Sequence, residues 1–233
     1  MNPILRRDVL WVCATLLALL AWDFTGLDQA LIHRYGDASG FAWREHWLTR
    51  DVLHQGGRGL GWVVFAALVL NIFRPLAFAR DLSRSERVWW LATTVLCLLT
   101  IPTIKHFSLT SCPWSLAEFG GTARFVSHWR WGVPDGGGGG CFPSGHASAA
   151  FSFISGWFAL RQARPLAARW WLAVTLVAGL VFGWAQMMRG AHFASHTLWT
   201  AWLCLAVTTL AYHVAARWRL PAAAQAGPKP PMQ

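Results

Sequence analysis

Three separated segments of the sequence carry the side chains best suited to chemistry on an anion. They are Lys105, the tetrapeptide Pro143-Ser144-Gly145-His146, and the run from Arg189 to His196, which contains His192. Lysine and arginine neutralise phosphoryl oxygens, and histidine serves as a nucleophile or general acid. Ser144 is a good N-cap for a helix whose first N–H groups would bind an anion. Few acidic residues accompany these groups, so we predict phosphoryl transfer through histidine rather than through magnesium.

The composition indicates that the elements holding these segments lie in a membrane. Of 233 residues, 55% are hydrophobic and 13% are charged, with a formal net charge of +10 and 17 tryptophans. A soluble domain carries about 25% charged residues, which argues against disordered, fibrous and coiled-coil proteins. The basic charge lies among apolar runs, which argues against nucleic-acid binding. Six stretches reach or approach the ~20 residues of a spanning helix: Val9–Trp22, Leu60–Phe73, Val88–Ile104, Ser144–Leu160, Trp170–Met188 and Thr197–Ala216.

We therefore predict an all-α polytopic membrane protein with six transmembrane helices in one bundle over residues 1–220, and a disordered cytoplasmic tail over 221–233. The first helix lacks a clean cleavage site, so we expect it to be retained. Loops on the side of the two termini hold more basic and fewer acidic residues, which places both termini in the cytoplasm. Lys105, His146, Arg189 and His192 then fall on the opposite face, where we expect them to converge in one pocket.

At these residues the chain resembles the type 2 phosphatidic acid phosphatase superfamily, the membrane lipid phosphatases. The family pattern is Lys-x6-Arg-Pro, then Pro-Ser-Gly-His, then Ser-Arg-x5-His-x3-Asp. Here Lys105 is followed, after six residues, by Cys112-Pro113, and the middle motif matches in full. The run from Gly190 to Ser195 matches the core of the third motif. The resemblance covers the last four predicted helices in order and spacing.

The resemblance implies a lipid phosphatase that needs no metal or cofactor and works in two steps. His192 would attack the phosphorus, and His146 would protonate the leaving oxygen and then activate water. The groups that would bind the phosphoryl oxygens are Lys105, Ser144, Gly145 and Arg189. The substrate would be a lipid phosphate of the bilayer: phosphatidylglycerol phosphate, phosphatidate, a polyprenyl diphosphate or lipid A. The enzyme would lie in the bacterial inner membrane with its active site facing the periplasm.

Three positions depart from the family pattern. They are Cys112 at the first-motif arginine, Ala185-Gln186 at the third-motif Ser-Arg pair, and His196 at the final aspartate. We expect Arg189, or alternatively Arg124, to supply the missing guanidinium. His196 would hold His192 as a neutral hydrogen-bond acceptor, unless a loop acid, Asp135 or Glu118, takes that role.

Three other functions fit the same residues. A phosphotransferase would pass the phosphate from the same histidine to a second lipid instead of water. A non-catalytic membrane protein would keep the pocket as an anion-binding site. A metal-dependent hydrolase would bind zinc through His192 and His196, with a third ligand from Glu118, Asp135 or His146.

Two cysteines lie in the outer loop between the third and fourth predicted helices. If that loop faces the periplasm, oxidation is permitted, and we predict a Cys112–Cys141 disulfide that ties the Lys105 segment to the His146 segment. Cys13, Cys97 and Cys204 lie inside apolar stretches, where we expect them to pack as small side chains. The five glycines at 136–140 predict a pliable loop that could cover the headgroup.

Overall fold

A computed structural model, which describes residues 3–224 and their side chains as far as residue 217, is mostly helical. The helices are α1 (Pro3–Asp23), α2 (Leu27–Ile32), α3 (Gly57–Phe73), α4 (Arg84–Phe107), α5 (Ser148–Phe151), α6 (Ser155–Leu160), α7 (Pro165–Met188) and α8 (Ala194–Ala224). A π-helical segment, Leu48–Gly56, leads into α3, and a 3-10 turn, Ser152–Ile154, joins α5 to α6. Two short strands, β1 (Gly36–Asp37) and β2 (Gly40–Phe41), pair antiparallel with Gly36 opposite Phe41.

Four helices in the described part of the chain are long and apolar enough to cross a membrane. They are Leu48–Phe73, Arg84–Phe107, Pro165–Met188 and Ala194–Arg217. Helix α1 has 21 residues but carries Arg6, Arg7 and Asp8 near its start. The fourth predicted stretch forms a shorter apolar helical segment, Ser148–Leu160, interrupted by a 3-10 turn. The predicted all-α membrane class is therefore supported, whereas the count of six spanning helices stays a prediction.

The C-terminal boundary is described only in part. Helix α8 continues to Ala224, through the first positions of the tail predicted over 221–233. Residues 225–233 of that tail lie outside the described residues.

Local sequence signals set the boundaries of the two helices that lead toward the site. Ser83 and Glu86 form a capping box at the start of α4, each side chain bonding the other's backbone N–H. Pro165 occupies the first turn of α7, where a missing N–H costs nothing. From that start, α4 runs 24 residues and carries Lys105 in its last turn.

Helix α8 packs against α1, α4 and α7, and so lies in the middle of the bundle. Close approach of α5 to α7 depends on Gly179, because a Cβ there would lie 2.3 Å from the ring of Phe151. Large apolar side chains such as Trp62, Leu70 and Val174 remain exposed on the outside of the bundle. An apolar exterior of this kind suits a lipid environment.

An ion cluster links α1, α8 and the end of α6 at the face opposite to Lys105. Both guanidinium nitrogens of Arg161 donate to the carboxylate of Asp8, at 2.9 and 2.7 Å. His213 Nε2 lies 2.9 Å from the same carboxylate. The Asp8 side chain is 1% exposed and that of Arg161 is 7% exposed, so this is a buried ion pair.

The long loop between α4 and α5 is fixed by the predicted disulfide, which joins Cys112 to Cys141. The carboxylate of Asp135 accepts from the N–H and hydroxyl of Ser111 and from the N–H of Gly137, at 2.6, 2.8 and 2.9 Å. Gly139 donates its N–H to the Ser111 hydroxyl at 3.1 Å. These hydrogen bonds hold the glycine run against the segment after α4, and the pliability of the loop stays a prediction.

Candidate active site

Lys105, His146 and His192 reach one place from three parts of the chain. Lys105 is in the last turn of α4, His146 lies in the turn before α5, and His192 lies in the link between α7 and α8. The ring centroids of His146 and His192 are 6.1 Å apart. The Lys105 side chain lies against Gly145, since a Cβ built there would be 3.7 Å from Lys105 Cδ. The three groups that were predicted to act together are therefore neighbours.

Backbone contacts dock the Pro-Ser-Gly-His turn onto the first turn of α8. The Ser144 N–H donates to the carbonyl of His196 at 3.1 Å, and the Thr200 hydroxyl donates to the carbonyl of Ser144 at 2.9 Å. The expectation that Ser144 caps the helix was wrong. The helix begins at Ser148, whose hydroxyl donates to the carbonyl of Gly145 at 2.6 Å and so closes a separate turn. In the described residues the buried Ser144 hydroxyl has no hydrogen-bond partner, which leaves it free for a ligand.

A left-handed glycine turns the chain from α7 toward His192. Gly190 has φ 71°, and a Cβ there would lie 2.4 Å from the ring of Phe41. The N–H groups of Gly190 and Ala191 donate to the carbonyls of Met187 and Gln186, at 2.9 and 2.8 Å. Such a glycine termination satisfies the last carbonyls of a helix. It leaves His192 outside both helices and only 2% exposed.

His192 and His196 both lie against Cys141. His196 Nδ1 is 3.1 Å from the Cys141 carbonyl oxygen, and His192 Nδ1 is 3.5 Å from the Cys141 sulfur. The two ring centroids are 5.8 Å apart, and no hydrogen bond joins the two histidines in the part of the chain described. Neither alternative acid lies beside them: Asp135 is bonded to Ser111, and Glu118 lies 3.3 Å from His33.

The two candidate arginines have different surroundings. Arg189 is buried; its Nε donates to the carbonyl of Arg44 at 2.9 Å and its Nη1 lies 3.4 Å from Gln186 Oε1. Arg124 is exposed and donates to the carbonyl of Pro134 at 3.3 Å. The structure therefore brings Arg189 next to the site and leaves Arg124 outside it.

The side chains of Cys141, His192 and His196 approach a metal-binding arrangement, with one donor atom from each within 4.8 Å of the others. The Cys141 sulfur is bound in the disulfide, whereas a metal binds a free thiolate. Two imidazoles then remain, fewer than the three protein ligands usual at a catalytic zinc.

A cavity of about 520 Å³ opens beside these groups. Its polar lining comprises His54, Arg58, Lys105, Gly145, His146, Ser148 and Gln186, with no acidic side chain among the described residues.

His54 Nε2 lies 2.6 Å from His146 Nε2. Neither His54 nor Arg58 is among the site residues predicted from the sequence. The signal that would have identified them is their position at the start of an apolar stretch, since ionisable groups at membrane depth are functional candidates.

Burial lowers the pKa of both His146 and His192. For His146 the positive neighbours add to the effect of burial and bring the pKa to about 3; they are His54, Lys105, Arg189 and Arg58. Burial, followed by the charge of Lys105, holds the pKa of His192 well below its usual range. Both imidazoles are therefore neutral at pH 7, which is the form that can attack phosphorus. A bound phosphate dianion offsets the neighbouring cations and so restores proton affinity to His146.

The model of the PAP2 superfamily matches residues 86–220, more than half of the chain. The chain belongs to the PAP2 superfamily. PAP2 membership means phosphatase or phosphotransferase chemistry on lipid-like substrates, and at the coarse level a phosphoric ester hydrolase. The matched region of this PAP2 protein contains the three segments compared with the family motifs, whereas α3 and the segment that carries His54 precede it. Searches of curated proteins and of solved structures each gave no significant match.

Proposed function

We propose that this PAP2 protein hydrolyses a phosphate ester of a membrane lipid, with His192 as the nucleophile and His146 as the general acid. The observation that supports this most directly is the 6.1 Å separation of the two ring centroids beside Lys105 and a cavity that lacks acidic side chains among the residues described. Phosphoryl transfer requires a nucleophile and a proton donor on either side of one phosphorus, together with cations that neutralise its oxygens.

In the first step a ring nitrogen of His192 forms a bond to phosphorus as the bond from phosphorus to the lipid oxygen breaks. The leaving oxygen takes a proton from His146, so the lipid departs as an alcohol, or as a monophosphate where the substrate is a diphosphate. Splitting one difficult displacement into two easier ones is the advantage of a covalent intermediate.

In the second step water attacks the phosphorus of the phosphohistidine. His146, neutral after giving up its proton, accepts a proton from the water. The phosphorus–nitrogen bond then breaks, inorganic phosphate leaves, and His192 returns to its neutral form. Each group ends the cycle in the protonation state in which it began.

The groups proposed to bind the phosphoryl oxygens come from four segments. They are Lys105, Arg58, Arg189, the hydroxyl of Ser144 and the N–H of Gly145. Arg58 lines the cavity, and Ser144 is buried with its hydroxyl unpaired among the described residues. Donors that are already oriented in a site of low dielectric stabilise developing charge more strongly than water does. Arg124 has no role in this proposal, because it lies outside the site. His196 would keep the neighbouring His192 ring in place by packing against it.

A second, apolar cavity of about 390 Å³ supports a lipid substrate. It adjoins the polar cavity, because Gly61, Ala149 and Phe153 line both. Most of the rest of its wall comes from α3 and α7, including Val64, Trp170, Val174 and Ala178. A phosphate in the polar cavity would leave a hydrocarbon chain in the apolar one, where van der Waals packing against the wall would hold it.

We further propose that the site faces the periplasm from the bacterial inner membrane, on the charge asymmetry of the loops. Phosphatidylglycerol phosphate, phosphatidate, polyprenyl diphosphate and lipid A phosphate are the substrate classes to test. All of them pair a phosphate or diphosphate with long hydrocarbon chains.

Release of phosphate from these lipids by the purified protein tests the proposal. The His192→Ala and His146→Ala variants should lose activity by roughly a hundredfold or more, whereas His106→Ala, which removes an exposed histidine one residue from Lys105, should keep it. Undiminished phosphate release by His192→Ala would refute the proposed nucleophile. Transfer of labelled phosphate to a second lipid instead of to water would identify a phosphotransferase.

A further inference from the structure

His54 makes a short contact with His146 in the site, although it precedes the region that matches the family, residues 86–220. Its Nε2 lies 2.6 Å from Nε2 of His146, with the ring centroids 4.2 Å apart and the planes tilted by 48°. His54 belongs to the candidate span Leu48–Phe73, where an unpaired imidazole would be costly. The contact joins positions 92 residues apart in the chain.

The chemistry of two facing imidazoles restricts where protons can be. A hydrogen bond between two ring nitrogens needs one donor and one acceptor, so a single proton lies between the two Nε2 atoms. Nδ1 of each ring is buried without a partner in the described residues. Whichever tautomer His54 adopts therefore decides which nitrogen of His146 holds a proton.

We propose that His54 is a positioning residue for the general acid His146, fixing the orientation of its ring and the site of its proton through one shared hydrogen. The inference rests on the function proposed above. His54 itself has no contact with phosphorus in this scheme, since it acts through His146.

The groups around His54 and His146 favour two neutral rings joined by one hydrogen bond over a pair that carries positive charge. Arg58 lies one turn along the same helix, Lys105 comes from α4, Arg189 from the end of α7, and His192 from the following link. All are cations or imidazoles, so adding a proton that gives the pair a positive charge is unfavourable until an anion binds. A bound phosphate would supply that anion, and His146 would then hold the proton that the leaving oxygen needs.

The dependence of kcat on the leaving group distinguishes this positioning role from a purely structural one. An alkyl phosphate needs a general acid because an alkoxide is a poor leaving group, whereas nitrophenyl phosphate releases a stable phenolate and barely needs one. His54→Phe keeps the ring but removes both nitrogens. We expect its kcat on a long-chain alkyl phosphate to fall roughly 100-fold, and its kcat on nitrophenyl phosphate to change by less than about threefold.

A conservative variant and a second measurement complete the test. His54→Gln keeps an amide within reach of His146 and should restore most of the alkyl phosphate activity, with the acidic limb of the pH profile displaced. If His54→Phe does not fold, His54→Asn, whose amide is too short to reach, takes its place. Equal losses on both substrates, or none on either, would overturn the inference.

The two proposals fail in distinguishable ways. If His192→Ala abolishes both reactions while His54→Phe lowers both equally, the hydrolase stands and the positioning role does not. If His192→Ala stays active on both substrates, the proposed function itself is wrong.

Discussion

Replacing both cysteines of the disulfide should cost this protein a measurable share of its stability. The Cys112–Cys141 bond closes a loop with a sequence separation of 29. The chain-entropy relation for a loop of this length gives about 3.5 kcal/mol at 25 °C. For a chain of this size, each kcal/mol moves the melting temperature by about 2–4 °C, so Cys112→Ser with Cys141→Ser should melt roughly 7–14 °C lower.

Intrinsic fluorescence of the tryptophans in detergent micelles provides the melting curve. A reductant should lower the melting temperature of the wild type by a similar amount and leave the double variant unchanged. Cys13→Ser, which alters an exposed free cysteine, is the matched control. Since Cys141 also contacts the two buried histidines, the double variant should lose phosphatase activity before it unfolds. A melting temperature within about 2 °C of the wild type would refute the reasoning.

Three further predictions follow from burial and charge. The folded-state pKa of His146 is lowered to about 3, so its contribution to stability is complete above its unfolded pKa near 6.5 and is lost as pH falls toward 3. Between pH 7.5 and 5.5 the wild type should lose about 1 kcal/mol more than His146→Gln, and equal losses in urea titrations would contradict this. Asp8→Ala leaves the buried Arg161 without its carboxylate partner and should lower the free energy of unfolding by about 3–5 kcal/mol. Asp81→Asn, which alters an exposed ion pair, should lower it by less than about 1 kcal/mol. Equal melting temperatures for the two variants would count against a buried ion pair. Ala178→Phe fills the apolar cavity. It should raise KM for long-chain lipid phosphates by roughly tenfold, because the displaced chain loses packing contacts, and should leave hydrolysis of a soluble short-chain ester unchanged; a parallel rise for both would show that the chain does not bind there.

Much of the fold could be predicted because hydrophobic length is a local signal. The stretches ending at Phe73, Met188 and Ala216 each contain or extend into a long helix. The stretch that begins at Ser144 was predicted to be one spanning helix because its residues are small and apolar. Such a composition does not ensure a continuous helix. There Ser148 bonds the carbonyl of Gly145, and a 3-10 turn follows α5, so the segment is short and interrupted. Hydropathy measures what a segment buries, and does not register such local hydrogen bonds.

The site residues that belong to sequence motifs could be predicted, whereas a residue that joins the site only through a long-range contact could not. The convergence of Lys105, His146 and His192 was predictable from the motif spacing together with the predicted alternation of spans. The contact of His54 with His146 was not, because it depends on the π-helical segment Leu48–Gly56. A segment that pairs i with i+5 turns its side chains away from the directions that a period of 3.6 predicts, and such segments recur at functional sites. The same irregularity that hides His54 from a periodicity argument is therefore what aims it at the general acid, and straightening that segment should uncouple the two histidines without shortening the helix.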